Sequence, residues 1–138
     1  MIKVLAIDHV VLRTENLENM LHFYRDILNC PVERELPDLG LVQLRAGAGL
    51  IDLVPVDSEL GRAGGGPPRS DGPNMDHVCL CISKVDESAL SQFLAEKGIE
   101  QSEFAERYGA QGHGRSVYIK DPEGNVVELK FEIEDSIT

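Results

Sequence analysis

Histidine and carboxylate recur in this chain at matched positions. Ile7-Asp8-His9-Val10-Val11-Leu12 is echoed by Met75-Asp76-His77-Val78-Cys79-Leu80, and Leu50-Ile51-Asp52-Leu53 by Val126-Val127-Glu128-Leu129. Each copy thus supplies one imidazole and one acid. Both donor types suit first-row divalent ions such as Ni, Fe, Mn, Co or Zn, so His9, Asp52, His77 and Glu128 form a candidate metal-ligand set. Alternation along a strand puts His9 on a face with Val11 and Arg13, His77 with Cys79 and Cys81, Asp52 with Leu50 and Val54, and Glu128 with Val126 and Lys130. If these faces converge, the four ligands meet. A lone strand histidine is usually satisfied by a backbone carbonyl. An acid inside an apolar strand is costly without a compensating charge, and its recurrence beside a histidine favours metal binding. Cys79, on the face of His77, lacks a dedicated base, so packing is its expected role. Cys30 is expected to be buried and inert.

The elements that must hold these residues come in the same order twice. The first half begins with a strand over Val4–Arg13. A helix follows, with Asn16 as N-cap, Leu17, Met20, Leu21, Tyr24, Ile27 and Leu28 on one face, and Cys30-Pro31 as its stop. Strands over Val32–Leu36, Leu41–Arg45 and Gly49–Val56 complete it, separated by the turn-forming Pro37-Asp38-Leu39-Gly40 and Ala46-Gly47-Ala48. The second half repeats the pattern. A strand over Met75–Ile82 precedes a helix over Asp86–Lys97 with Leu90, Phe93 and Leu94 inward and Gly98 ending it. Strands near Ile99–Phe104, Ser116–Lys120 and Asn125–Ile133 follow, and Asp121-Pro122-Glu123-Gly124 reads as a type I turn. The expectation is an α+β fold of tandem βαβββ modules over residues 3–56 and 75–133, forming a curved mixed sheet around a metal cavity. A Gly/Pro-rich linker over residues 57–74 joins them. The interval from His to acid is longer in the second copy, and the extra length falls in a loop from Arg107 to Arg115. That loop carries Arg107, Tyr108, Gln111, His113 and Arg115 among Gly109, Gly112 and Gly114, a composition suited to contacting a substrate.

Composition narrows the partners. The chain has 138 residues, 42% of them hydrophobic, enough for a packed core. Its 13 basic and 24 acidic residues give a net charge of −11, with no basic run to neutralise successive phosphates, so nucleic acid is not an expected partner. An anionic substrate would need a local cation, for which Arg13, Arg107 and Arg115 are candidates. Apolar runs fall short of the roughly 18 residues of a membrane span. The start Met1-Ile2-Lys3-Val4-Leu5 lacks a secretory h-region and cleavage site, so a cytoplasmic location without membrane attachment is expected. Cys30, Cys79 and Cys81 have no zinc-finger spacing and are expected to be free thiols.

The paired modules, the His and acid positions and the closing Tyr-Ile-Lys-Asp-Pro-Glu-Gly-Asn-Val-Val-Glu-Leu segment together resemble the vicinal oxygen chelate superfamily. That group comprises glyoxalase I, fosfomycin and bleomycin resistance proteins, extradiol dioxygenases and methylmalonyl-CoA epimerase. The resemblance spans about residues 3 to 133. It implies two modules enclosing a site for one divalent ion, often completed in a homodimer, and a small-molecule substrate. His9, Asp52, His77 and Glu128 match the glyoxalase I ligand pattern, with Asp52 where Glu is usual. On that pattern Asp52 or Glu128 shuttles a proton for a lyase or isomerase working through a metal-chelated enediolate. Extradiol dioxygenases would use only His9, His77 and Glu128, around non-haem Fe(II), with His113 and Tyr118 or Tyr108 acting on the substrate. Resemblance to fosfomycin enzymes puts Ser116 and Tyr118 at the substrate pocket, although Val11 stands where that family has Thr. A metal-free, bleomycin-resistance-type binding protein is the third reading, and the absence of Trp disfavours it.

Overall fold

The computed structural model describes residues 1–133, which fall into two compact units, Met1–Asn74 and a second beginning at Met75. In the first, alternation and helical periodicity produce β1 (His9–Thr14), α1 (Leu17–Leu21), β2 (Val32–Leu36), β3 (Leu41–Ala46), β4 (Gly49–Pro55) and α2 (Glu59–Ala63). The second contains β5 (His77–Cys81), α3 (Glu87–Glu96), β6 (Ala105–Gly109), β7 (Gly112–Lys120) and β8 (Val126–Glu132). Each unit is a βαβββ module with a four-stranded mixed sheet, ordered β1-β4-β3-β2 in one and β5-β8-β7-β6 in the other. The fold is α+β, with the repeat that the sequence predicts. Within each sheet the first and last strands pair in parallel and the other neighbours are antiparallel. No helix among the described residues is long and apolar enough to cross a membrane.

Each sheet buries one face as its module's core. In the first unit, Leu12, Leu44, Ile51 and Leu53 lie with Met20, Phe23 and Tyr24 among the buried apolar residues. In the second, Val117, Ile119, Val127, Leu129 and Phe131 are buried, as is Leu94 of α3. Asn16 caps α1 as expected, its side chain accepting from Asn19 N. The helix then widens into a π-helical stretch, His22–Ile27, marked by the Leu28 N to Phe23 O hydrogen bond. Strict 3.6-residue spacing leaves Phe23 outside the predicted apolar face. The wider turn turns both Phe23 and Tyr24 inward, edge to face at 4.8 Å. In α3, capped by Asp86, Leu94 is buried but Phe93 stays partly exposed beneath Lys97.

Three other expectations need correction. The strand predicted from Val4 begins at His9 instead, and Met1, Ile2, Val4, Leu5 and Ile7 are exposed. The strand predicted over Ile99–Phe104 is reduced to one bridge, Gln101 to Ile119, because the Ser102 hydroxyl takes the Tyr118 amide and interrupts a backbone ladder. The predicted loop from Arg107 to Arg115 is a hairpin, with Gly109 paired to Gly112 and the left-handed φ of 95° at Gly112 closing the turn. The turn after β7 forms as predicted. Gly124 N donates to Asp121 O, and the Asp121 carboxylate accepts from Glu123 N, Asn125 N and Asn125 Nδ2.

The Gly/Pro-rich segment is anchored to its own module. It contains α2, capped by Ser58, and Arg13 reaches it from β1. The Arg13 guanidinium donates to the carbonyls of Gly61, Gly65 and Gly66. Asn74 completes the attachment, accepting from Arg13 N and donating to Arg13 O. Arg13 is thus engaged with backbone carbonyls, which corrects its expected place at a cavity mouth awaiting a carboxylate. Replacing Arg13 by Met should accelerate tryptic cleavage after Arg62 and Arg69 by roughly tenfold, because local opening loses those hydrogen bonds. Unchanged cleavage kinetics would show that the segment is held by other contacts.

Candidate metal centre

Parallel pairing of β1 with β4 sets His9 opposite Leu50 and Val11 opposite Asp52, so Asp52 lies one same-face step beyond the His9 position. The second unit repeats this offset. His77 stands opposite Val126 and Cys79 opposite Glu128. Both acids are buried, Asp52 at 3% and Glu128 at 6% exposure, whereas both imidazoles are partly open. His9 Nε2 lies 4.0 Å from Asp52 Oδ2, and His77 Nε2 lies 3.4 Å from Glu128 Oε1.

The other ring nitrogen is held the same way twice. His9 Nδ1 donates to Asp8 Oδ1 at 2.7 Å, and His77 Nδ1 donates to Asp76 Oδ2 at 2.6 Å. A carboxylate on Nδ1–H fixes the tautomer and directs the Nε2 lone pair outward, as in carboxylate-supported metal-ligating histidines. The Asp8 hydrogen bond, and then the Asp52 charge, hold the His9 pKa above the ordinary histidine value. Asp52 Oδ2 accepts from Gln43 Nε2 at 3.1 Å. Its Oδ1 is buried with no hydrogen-bond partner among the described residues. A buried carboxylate oxygen left without a donor is costly, and a cation is one group that satisfies it. Imidazole Nε2 and carboxylate oxygen are donor types that suit a divalent ion. What each unit assembles by itself is one His–acid pair, and among the described residues no group of three or more His, Cys, Asp or Glu is clustered for metal binding.

The expected substrate residues divide between the two faces of the second sheet. Tyr118 stands opposite Glu128, and its ring meets His77 edge to face at 5.5 Å. The Arg107 guanidinium lies 4.3 Å above the Tyr118 ring and donates to Ser116 O and Oγ, both at 2.9 Å. Arg107, Ser116 and Tyr118 therefore join the His77 face. Strand parity turns Tyr108, His113 and Arg115 to the other face of that sheet, away from Glu128. There Tyr108 meets His113 at 5.1 Å, and Arg115 forms a two-pronged ion pair with Glu87 of α3, both bonds 2.9 Å. Their assignment to one substrate loop with Arg107 is corrected by the hairpin, which alternates their directions. Cys79 lies on the His77 face and is exposed, which corrects its expected packing role; partial desolvation first and the Glu128 carboxylate second push its thiol up to about 11 and so disfavour the thiolate. Cys30 is buried, and Cys30, Cys79 and Cys81 are all free thiols.

Sequence reasoning missed Asp8, Asp76 and Gln43, which support the candidate ligands. The duplicated Asp-His dipeptide was the visible signal for the two aspartates. Nothing comparable marked Gln43, whose position opposite Asp52 depends on the β3–β4 register.

The family model for the Glyoxalase/Bleomycin resistance protein/Dioxygenase superfamily matches residues 6–129. The Virulence protein STM3117 of Salmonella typhimurium is 30% identical over 125 residues, spanning 89% of this chain and 81% of that protein. Its crystal structure superposes with a TM-score of 0.72 at 25% identity, covering 96% of this chain and 100% of the other. A structure from the mobile metagenome of V. Pseudocholerae shares the fold, with a TM-score of 0.73 at 24% identity over 97% and 99% of the two chains. Lactoylglutathione lyase from Agrobacterium tumefaciens gives a TM-score of 0.62 at 25% identity over 91% and 92%.

The Glu87–Arg115 pair yields a test of its structural role. Arg115 holds the Glu87 carboxyl below its ordinary value near 4.5, so the pair stabilises the fold above that pH and loses its effect as pH falls through the depressed value. Wild type should therefore exceed Glu87→Gln in thermal stability at neutral pH, and the difference should vanish in acid. A difference that persists unchanged at low pH would contradict the ion-pair account.

Proposed function

Because the chain belongs to the Glyoxalase/Bleomycin resistance protein/Dioxygenase superfamily, we propose that it is a divalent-metal-dependent enzyme of the glyoxalase I kind, a lyase or isomerase. The observation that carries this reading is the duplicated arrangement in which Asp supports Nδ1 of a histidine whose Nε2 faces a buried acid. The ligands are His9, Asp52, His77 and Glu128. When bound, a divalent ion of the Ni, Fe, Mn, Co or Zn class supplies Lewis acidity for a small molecule with neighbouring oxygens, easing loss of a proton beside a carbonyl. Asp52 and Glu128 are the proton-transfer candidates, since a buried carboxylate beside substrate is suited to accept a proton. Asp8 and Asp76 orient the imidazoles, and Gln43 steadies Asp52. Tyr118 and Ser116, braced by Arg107, provide a surface for substrate beside His77. The lactoylglutathione lyase structure supports the lyase class.

A second reading is non-haem Fe(II) oxygenation with His9, His77 and Glu128 as ligands. The Tyr118 ring against His77 favours it, because a phenol beside a candidate iron ligand would suit a catecholic substrate.

Elemental mass spectrometry on tag-free protein tests the shared premise. Wild type should retain about one divalent ion per chain, and His77→Ala or Glu128→Gln should lose it. Asp76→Asn should weaken retention by about 10–100-fold, while Arg115→Ala should retain the ion. Iron would favour oxygenation, and Ni, Co, Zn or Mn the lyase or isomerase. No metal in wild type after reconstitution, or equal content in all variants, would overturn both enzyme readings and favour a binding protein.

A further inference from the structure

The candidate metal pair occupies one end of the face shared by β5, β7 and β8, and the other end holds a buried cation with no role in that site. Lys130 follows Glu128 by one same-face step, about 7 Å along the strand. It stands beside Cys81 on one side and Ser116 on the other. The residue is only 3% exposed, and its Nζ donates to the Gly112 carbonyl at 3.0 Å. No ion pair of Lys130 with a carboxylate is found among the described residues.

The β6–β7 hairpin is shaped around this ammonium. A Cβ at Gly114 would first meet the Phe131 carbonyl oxygen and then Lys130 Nζ at 3.0 Å, and one at Gly109 would lie 3.3 Å from Lys130 Cε. These two glycines leave the space that the lysine fills. Beside Lys130 opens a cavity of about 260 Å³, lined by Cys81, Ile82, Lys84, Gln111, Lys130 and Glu132. Glu128 and Glu132 stand one same-face step to either side without an ion pair to it, so the hydrogen-bond partner that the buried ammonium has among the described residues is a neutral carbonyl, and a directly bonded anion would stabilise it further. An anion in the adjoining cavity supplies that partner. Glu132 is exposed, so water and salt screen its opposing charge more than that of a buried group.

We propose that this cavity is an anion-binding subsite that takes the carboxylate or phosphate of a small molecule, with Lys130 as charge partner and the Gln111 side chain as a further donor. Its size admits one such group with a short stem and no bulky ligand. On the metal reading, which this extension rests on only for the identity of the ligand, the substrate carries its anionic group a few bonds from the oxygens that chelate the ion. The rest of the chain makes a local cation necessary, because a net charge of −11 disfavours anions at long range.

Chelator-treated protein is titrated with inorganic phosphate and, separately, with acetate at constant ionic strength, and amide shifts are followed by NMR. The expected result is saturable shifts confined to Cys81, Gln111, Lys130 and their neighbours for at least one anion, the effective one naming the chemistry. In Lys130→Met, which keeps the side-chain length without the charge, binding should weaken at least about tenfold. A purely structural lysine would alter the melting temperature of that variant without any anion binding in wild type. Absence of saturable shifts with both anions, shifts centred elsewhere, or equal affinity in Lys130→Met would overturn the proposal. The wild-type map decides even if the variant does not fold. Since no metal is present, failure here leaves the metal reading intact, and failure to retain metal leaves this binding result standing.

Discussion

Parallel pairing between the first and last strand of each module is the constraint on which the site depends. It brings residues far apart in sequence to adjacent positions and fixes their offset, with the acid one same-face step beyond the residue opposite the histidine. A slip of one residue would turn Asp52 or Glu128 into the apolar core and expose Ile51 or Val127. The burial of Leu12, Ile51 and Leu53 in one unit, and of Val127 and Leu129 in the other, therefore protects the register that places the polar groups. Packing on one face of the sheet determines chemistry on the other.

The polar face is arranged to tolerate buried charge. Asp52 has Gln43 on one oxygen and His9 nearby, and Glu128 has His77 and the ring of Tyr118 around it. Arg107 lies over that ring without pairing directly with the acid, so the cation adds positive potential while leaving the carboxylate available. The same face carries Lys130, one step further along β8. Charges of both signs thus alternate along a single strand, a distribution better suited to recognising a polar ligand than to stabilising a core.

The His and acid positions were legible because two patterns coincided, the two-residue alternation within each strand and the module-length repeat of the chain. The module order was legible for the same reason, and capping by Asn16 and Asp86 was visible from residue type alone. Features set by tertiary packing were not. The π-helical turn at His22–Ile27 answers the need to bury Phe23 and Tyr24 together, which local propensity does not register. The segment from Arg107 to Arg115 looked like a loop because glycines crowd it. In the fold those glycines belong to a hairpin, and two of them accommodate the stem and head of Lys130. Arg13 shared a face with His9 as expected, but its guanidinium found the carbonyls of a segment some fifty residues away, a contact that strand parity does not predict.

Anomalous diffraction at the absorption edge of the retained metal tests the central claim most directly. The predicted result is a peak within about 2.0–2.2 Å of a candidate histidine's Nε2 and of an oxygen of the acid that it faces, with the histidine's Nδ1 still bonded to its aspartate. A peak bound through Nδ1, or one remote from both His–acid pairs, would contradict it.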